Sequence, residues 1–359
     1  MTIYIRSPFG YETFGPTYFG YTPVKPFNDM KNEANMRKGL VAGSFLPPHE
    51  GHLHLIREAA ARVDELSVFI CSAPGDPIPG ALRYACLKEL FPKLRVLHLP
   101  GSEPFRAETP PFFTESWLSR LSSNLPGGTD VVFSSGQQEA ELAQRLGARH
   151  TLIEPTVPVS SETILKNPFE HWQYLPTPVR PFFVKKVVLT GPESVGKTVL
   201  AGKLAAHFNT VWVEEYGRTY CEKYGNDLAP IDFAHIAGGQ IQLEDEAARH
   251  ANRVLFCDTD LIVTQIWGEI YFDRCPPWII EMNHQRRYDG FLLLAPDIAW
   301  TNDNIRLYGD HRVEHFELLR EELVSRNLPF AIISGSYEER FEKALRTVNK
   351  WLYPEKINL

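Results

Sequence analysis

Between Lys185 and Leu204 the chain reads KKVVLTGPESVGKTVLAGKL, and no other stretch limits the possible folds as sharply. An apolar run, Val187 to Leu189, ends in Gly191-Pro192-Glu193-Ser194-Val195-Gly196-Lys197-Thr198, which fits G-x-x-x-x-G-K-[ST]. The glycines let successive backbone N–H groups turn toward a phosphate. Lys197 reaches the β- and γ-phosphates, and the Thr198 hydroxyl suits Mg²⁺. Val199, Leu200, Leu204 and Ala205 follow at helical spacing, so the phosphates would sit at a helix N-terminus. This half of the chain is therefore expected to bind a nucleoside triphosphate on a strand–loop–helix unit. The alternative is a glycine-rich loop that binds nothing.

A chain of 359 residues exceeds what one core usually serves, so two domains are expected. A net charge of −7 argues against a general nucleic-acid binder. The five cysteines are widely spaced and show no zinc pattern. Cys71 and Cys257 end apolar runs, which suits reduced thiols in a cytoplasmic protein. There is no apolar run of membrane-spanning length and no signal-peptide layout.

Residues 1–38 are aromatic and rich in Gly and Pro, without helical or strand period, and are expected to form an extended arm or a leader. The segment is too short for a helix-turn-helix, and Met36 is an alternative start. From Lys38 a βαβ unit is expected: strand Leu40–Phe45, a loop with two histidines, a helix carrying Leu53, Ile56, Ala60 and Val63, and strand Leu66–Cys71. A helix is expected over 81–91, with strands over 94–99 and 130–133. Residues 100–128, holding Trp117, read as a Pro/Gly-rich loop on the substrate side. The small polar residues closing the strand at Ser134 and Ser135 suit recognition of a base.

The loop reads Gly43-Ser44-Phe45-Leu46-Pro47-Pro48-His49-Glu50-Gly51-His52 and resembles the G-x-F-x-P-x-H-x-G-H signature of the nucleotidyltransferase superfamily. The resemblance implies that His49 and His52 contact the α/β-phosphates of ATP, on a backbone floor of Gly43, Ser44 and Phe45. Imidazole N–H donors at a helix N-terminus suit a charge-rich transition state. The alternative is a pair of solvent-facing loop histidines. Relatives supply further phosphate contacts from an S-x-x-T-x-x-R-like helix start. Here the stretch reads Ser160-Ser161-Glu162-Thr163-Ile164-Leu165-Lys166: counted from Ser160 and Thr163 the arginine's place falls on Lys166, and with the register started at Val159 it falls on Leu165, one step, about 100°, round the helix.

The joint between the halves, NPFEHW followed by VRPFFV and then the G-x-x-x-x-G-K-T loop, resembles the bifunctional nicotinamide-mononucleotide adenylyltransferase/ribosylnicotinamide kinase family, NadR. The resemblance covers residues 39–350 and does not include the DNA-binding domain that some members carry. It implies NAD salvage: phosphorylation of ribosylnicotinamide by the second half, and adenylyl transfer from ATP to nicotinamide mononucleotide by the first. Because of Leu165, a kinase with a degenerate first domain stays open, as does a non-catalytic nucleotide sensor. Family analogy also allows a homo-oligomer.

In the second half, apolar runs at 186–190, 211–213, 254–257, 291–295 and 330–334 alternate with helical stretches at 198–207, 231–252, 313–327 and 337–352. Val254 to Asp260 reads as a buried strand ending in carboxylates. Asp258 would hold Mg²⁺, and Asp260 would do the same or handle the acceptor's proton. Either carboxylate could instead cap the next helix. Glu214-Glu215-Tyr216-Gly217-Arg218 resembles the family's substrate-side EYGR. Glu215 would accept ribose hydroxyls, Tyr216 would stack on a pyridinium ring, and Arg218 would meet phosphate. Arg306, within the polar lid-like run Trp300 to Arg312, and Arg312 at its end would close over the triphosphate. The expected architecture is α/β: an arm (1–38), a Rossmann-like nucleotidyltransferase domain (39–183) and a Rossmann-like P-loop kinase domain (184–359).

Overall fold

The computed structural model describes residues 36–101, 113–272, 274–298 and 311–353. The expected arm, but for its last residues, and Arg306 lie outside them. Two parallel five-stranded sheets account for the architecture. The first half runs β1 (Lys38–Gly43), α1 (Glu50–Ala60), β2 (Glu65–Ser72), α2 (Gly80–Leu90), β3 (Arg95–Pro100), α3 (Glu115–Ser123), β4 (Val131–Ser134), α4 (Glu139–Arg145), β5 (Arg149–Leu152) and α5 (Ser161–Lys166). Its strand order is β3-β2-β1-β4-β5. The chain reverses direction across the sheet beside β1, and its carboxyl end is where such sheets place ligands.

The second half runs β6 (Lys185–Thr190), α6 (Lys197–Phe208), β7 (Trp212–Val213), α7 (Tyr216–Tyr224), α8 (Pro230–His250), β8 (Val254–Asp258), α9 (Leu261–Phe272), α10 (Pro277–Gln285), β9 (Gly290–Leu294), α11 (Arg312–Ser325), β10 (Phe330–Ile333) and α12 (Tyr337–Leu352). With order β10-β9-β6-β8-β7, the strand that feeds the glycine-rich loop lies at the centre. β8 and β9 are buried on both faces, as continuous apolar runs in a parallel sheet should be.

Ile164, Trp172, Leu175 and Val179, all before residue 184, pack with Val188, Leu255 and Phe291 in the core of the second sheet. Arg249 also ion-pairs with Glu89, and the Cys86 thiol meets the Pro178 carbonyl at 3.1 Å. The joint is thus part of a packed core.

One expectation is overturned. Residues 115–123 form α3, and Trp117 is buried among Phe113, Leu121 and Leu142. Thr114 caps that helix, accepting from Trp117 N at 3.3 Å, and Trp117, Leu118 and Leu121 make one apolar stripe. The proline and glycine content around it hid this short helix. All five cysteines are free, with Cys71 and Cys257 buried. Among the described residues no helix is long and apolar enough to cross a membrane, and no metal-binding cluster occurs.

Candidate functional sites

Two loops occupy equivalent places, each leaving the carboxyl end of a central strand and entering a helix. In the first, Phe45 takes a left-handed backbone (φ 47°), and the chain turns into α1. His49 caps that helix: its Nδ1 accepts from Gly51 N at 3.1 Å, and its carbonyl accepts from His52 N at 2.8 Å. The His49 and His52 rings lie 3.8 Å apart, tilted by 32°, with Phe45 edge-on to His52 at 5.0 Å. Burial lowers His49 to a pKa of about 4. Burial and the neighbouring His49 hold His52 well below the usual histidine range, against a hydrogen bond to the Pro47 carbonyl. His52 Nδ1 is buried without a partner among the described residues. Both imidazoles are therefore neutral at pH 7.

Sequence reasoning missed what holds this turn. Arg83 of α2 is wholly buried; it donates to the Ser44 carbonyl, donates to the Cys71 carbonyl at 3.3 Å and ion-pairs with Asp76. The available signal was an arginine in the first half of α2, where every other residue from Gly80 to Leu87 is uncharged. Ser134, expected near a base, is held by His150 at 2.8 Å and by the Gly136 carbonyl at 2.7 Å. On α5, Ser160 and Thr163 form a reciprocal capping box; Leu165 is half-buried and Lys166 pairs with Glu162 at 2.7 Å.

The second loop is built from backbone. Gly191 (φ 143°), Ser194 (φ 58°) and Gly196 (φ 86°) take conformations that favour glycine or turn residues. A Cβ at Gly191 would stand 2.7 Å from the Leu294 carbonyl oxygen, so no side chain fits. Lys197 Nζ donates to the Gly191 and Pro192 carbonyls, each at 3.0 Å. Thr198 Oγ1 donates to Asp258 Oδ2 at 2.5 Å, while Asp258 Oδ1 is buried without a partner among the described residues. Burial raises Asp258 to a pKa of about 6, with Lys197 pulling the other way. Arg340 of α12, 2% exposed, donates to the Val195 carbonyl at 2.8 Å and to Ala295 at 2.9 Å, bracing the loop from behind.

A cavity of about 310 Å³ opens from this loop. Glu193, Ser194, Val195, Gly196, Lys197 and Thr198 line one end. Glu215, Arg218, Gln240, Trp267 and Tyr271 line the rest, with His315 and Tyr337 from later helices. Thr259, a β-branched residue at φ 68°, lies on the wall between the two aspartates, a strained conformation of the sort that clusters at binding sites.

Pro192 and Asp258 do not themselves line the wall, Asp258 meeting it through its bond to Thr198, and three further expected residues stand elsewhere. Asp260 caps α9, its Oδ1 accepting from Val263 N at 3.3 Å, and is not on the cavity wall; burial raises it to about 7. Tyr216 packs its ring against Gly239 of α8, where that helix offers no side chain, and it too is off the wall. The cavity's aromatic surface comes instead from Phe233, Trp267 and Tyr271. Arg312 is 9% exposed and donates to the Ile298 carbonyl at 3.0 Å, again off the wall.

Fold and loops together define a class: a nucleotidyltransferase-like sheet joined to a P-loop sheet. Residues 40–115 match the cytidylyltransferase-like family, and residues 186–340 match an AAA domain family. The trifunctional NAD biosynthesis/regulator protein NadR of Escherichia coli (strain K12) is 30% identical over 345 residues, covering 88% of this chain and 83% of that protein. Its counterpart in Salmonella typhimurium is 31% identical over the same shares. A crystal structure of NadR protein in complex with NR shares the fold, with a TM-score of 0.75 at 23% identity over 88% of this chain and 96% of that one. A second, in complex with NAD and AMP-PNP, gives 0.72 at 24%. The chain belongs to the NadR family.

Proposed function

We propose that this protein makes NAD in two steps on two sites. The segment 184–359 phosphorylates the 5′-hydroxyl of ribosylnicotinamide with ATP. The segment 39–183 then transfers the adenylyl group of a second ATP to nicotinamide mononucleotide, releasing pyrophosphate. The observation that carries the first step is one cavity with a glycine-rich, Lys197-bearing end and an acidic and aromatic end. Such a shape suits a triphosphate facing a small polar acceptor.

In this reading Lys197 exchanges its two loop carbonyls for phosphate oxygens, and the backbone N–H groups of the loop from Glu193 to Thr198 take the remaining charge. Thr198 and Asp258, with its bare buried Oδ1, are hard oxygen donors that suit Mg²⁺, which would supply neutralisation of phosphate charge. Glu215 offers a carboxylate to acceptor hydroxyls, and Arg218 a cation toward phosphate. Arg306 and Arg312 remain candidates for closing the site. Asp260 acts by capping α9 and so fixing the turn that carries Asp258 and Thr259.

For the second step, neutral His49 and His52 offer N–H donors at the start of α1, while Gly43, Ser44 and Phe45 shape the turn. The missing arginine favours a second reading, in which only the kinase turns over: neither Leu165 nor Lys166 carries a guanidinium, and Lys166 pairs with Glu162 in solvent. Incubation with ribosylnicotinamide and Mg·ATP, followed by mass analysis, decides. NAD and mononucleotide together support both steps, mononucleotide alone supports the kinase, and neither product with retained ATP binding supports a sensor. A free-thiol protein of this kind is expected to work in the cytoplasm on small molecules, without nucleic acid or membrane.

A further inference from the structure

His315 is the one imidazole on the wall of the P-loop cavity, and nothing in the kinase step as described uses it. It lies in the first turn of α11 and is 6% exposed. Its ring meets Trp267 edge-on, with centroids 4.9 Å apart and planes at 69°. Nε2 is buried and has no hydrogen-bond partner among the described residues. A bare buried nitrogen calls for a partner, and one at a cavity wall is open to a ligand atom or a water. Lys197 lies close enough to depress the imidazole's protonation, second to burial, so the ring holds to about pKa 4 and is neutral at pH 7. His315 thus stands at the seam between the phosphate end of the cavity and its aromatic end.

A neutral imidazole has one donor and one acceptor, which matches a hydroxyl better than a phosphate oxygen. Lys197 already supplies the cation at this seam, and its field opposes a second one. We propose that His315 binds the sugar of the acceptor nucleoside, its Nε2 sharing a hydrogen bond with a ribose hydroxyl next to the arriving phosphoryl group. This rests on the kinase reading of the same cavity.

Steady-state kinetics of the full chain test it, with ribosylnicotinamide and Mg·ATP varied separately. For His315→Ala the acceptor KM is expected to rise about tenfold, the worth of one hydrogen bond in a buried site. The ATP KM should stay within twofold. His315→Gln keeps a donor and an acceptor and should recover most of the loss, which a packing defect would not allow. Against acceptor analogues lacking the 2′- or the 3′-hydroxyl, the wild type should lose its advantage over His315→Ala for one of the two. A raised ATP KM with unchanged acceptor KM, or no change in either, overturns the proposal while leaving the kinase intact. Wild-type protein that phosphorylates no nucleoside overturns the kinase reading and this inference together.

Discussion

The two loops sit at matching points of two similar sheets, yet they prepare for phosphate by opposite means. The loop after β6 is backbone: three positive-φ residues, a carbonyl wall that excludes any Cβ at Gly191, and a lysine seated on two of the loop's own carbonyls. The turn after β1 relies on side chains: two neutral imidazoles in tilted contact, His49 buried and His52 half-buried, the first of which also caps α1. A backbone device is rigid and ready before ligand arrives, because its donors are fixed by φ and ψ. A histidine device gains charge only when an anion arrives to favour it. The difference teaches that the first site should be the more easily silenced by small changes in position.

The largest expected effect is a clean separation of the two chemistries. Lys197→Ala should lower mononucleotide formation by about 10²- to 10³-fold, the scale for one preorganised donor to a developing charge. Adenylyl transfer by the same variant should stay within twofold. His52→Ala should do the reverse. Initial rates with the two products resolved check both, and parallel loss in both assays from either variant would mean the sites are not independent.

Glycine substitutions sharpen the comparison at the next level. In Gly191→Ala the new methyl meets the Leu294 carbonyl oxygen at 2.7 Å, in a backbone conformation alanine avoids. Neither partner can yield, so a loss of about 2–4 kcal/mol and of ATP-analogue binding is expected. In Gly51→Ala the methyl meets His49 Cε1 at 2.9 Å, and the ring can swing. That variant should lose about 1 kcal/mol or less while adenylyl transfer falls sharply. Thermal melts and ligand titrations compare the two, and equal stability losses would contradict the distinction between a backbone and a side-chain device.

Both loops were readable because their residues are adjacent in sequence and each has a local reason. Glycines answer a φ demand, His49 answers a cap, and Thr198 answers Asp258 at the end of an apolar strand. The five strands of the second sheet were readable for the same cause, as short buried runs between helical periods. What escaped was everything assembled from a distance. Trp267, His315 and Tyr337 reach the cavity from three helices, and helical periodicity alone cannot tell a core-facing aromatic from one that lines a pocket. Arg83 and Arg340 brace the loops through carbonyls far along the chain, which no spacing rule encodes. Tyr216 misled because its neighbours Glu215 and Arg218 do face the cavity, and only Gly239, opposite it on α8, draws the ring away.

Acidification should pull the two sites apart. An unfolded histidine titrates near 6.5. Folded His49 stays neutral to about pH 4, so the unfolded chain takes up a proton first and stability falls as pH drops from about 6.5 toward 4. Asp258 and Asp260 have the opposite sign. Burial raises them to about 6 and about 7, so the folded chain binds protons the unfolded chain does not, and stability rises as pH falls from about 7 toward 4. His49→Gln should therefore be spared up to about 2 kcal/mol of the loss on moving from pH 7.5 to 5, since 1.5 pH units lie below the unfolded value. Denaturant melts at the two pH values check it, and an unchanged pH dependence would mean His49 is not held neutral.

The smallest effect tests α5, where neither Leu165 nor Lys166 supplies the arginine that the resemblance leads one to expect. α5 is pinned by Ile164, wholly buried in the core of the second sheet, so the direction of its other side chains is fixed. Leu165 is half-buried on that helix, and Lys166 points about 100° away, paired with Glu162 in solvent. Restoring a guanidinium in Leu165→Arg would give the first site a forked donor that neither native residue supplies. NAD formation from nicotinamide mononucleotide and ATP should rise by up to about tenfold, near 1.4 kcal/mol, with kinase activity unchanged. Leu165→Lys should recover less, because a single ammonium cannot grip two phosphate oxygens at once. If neither variant alters the rate, phosphate contact from α5 is not what limits the first site, and the two imidazoles become the place to look.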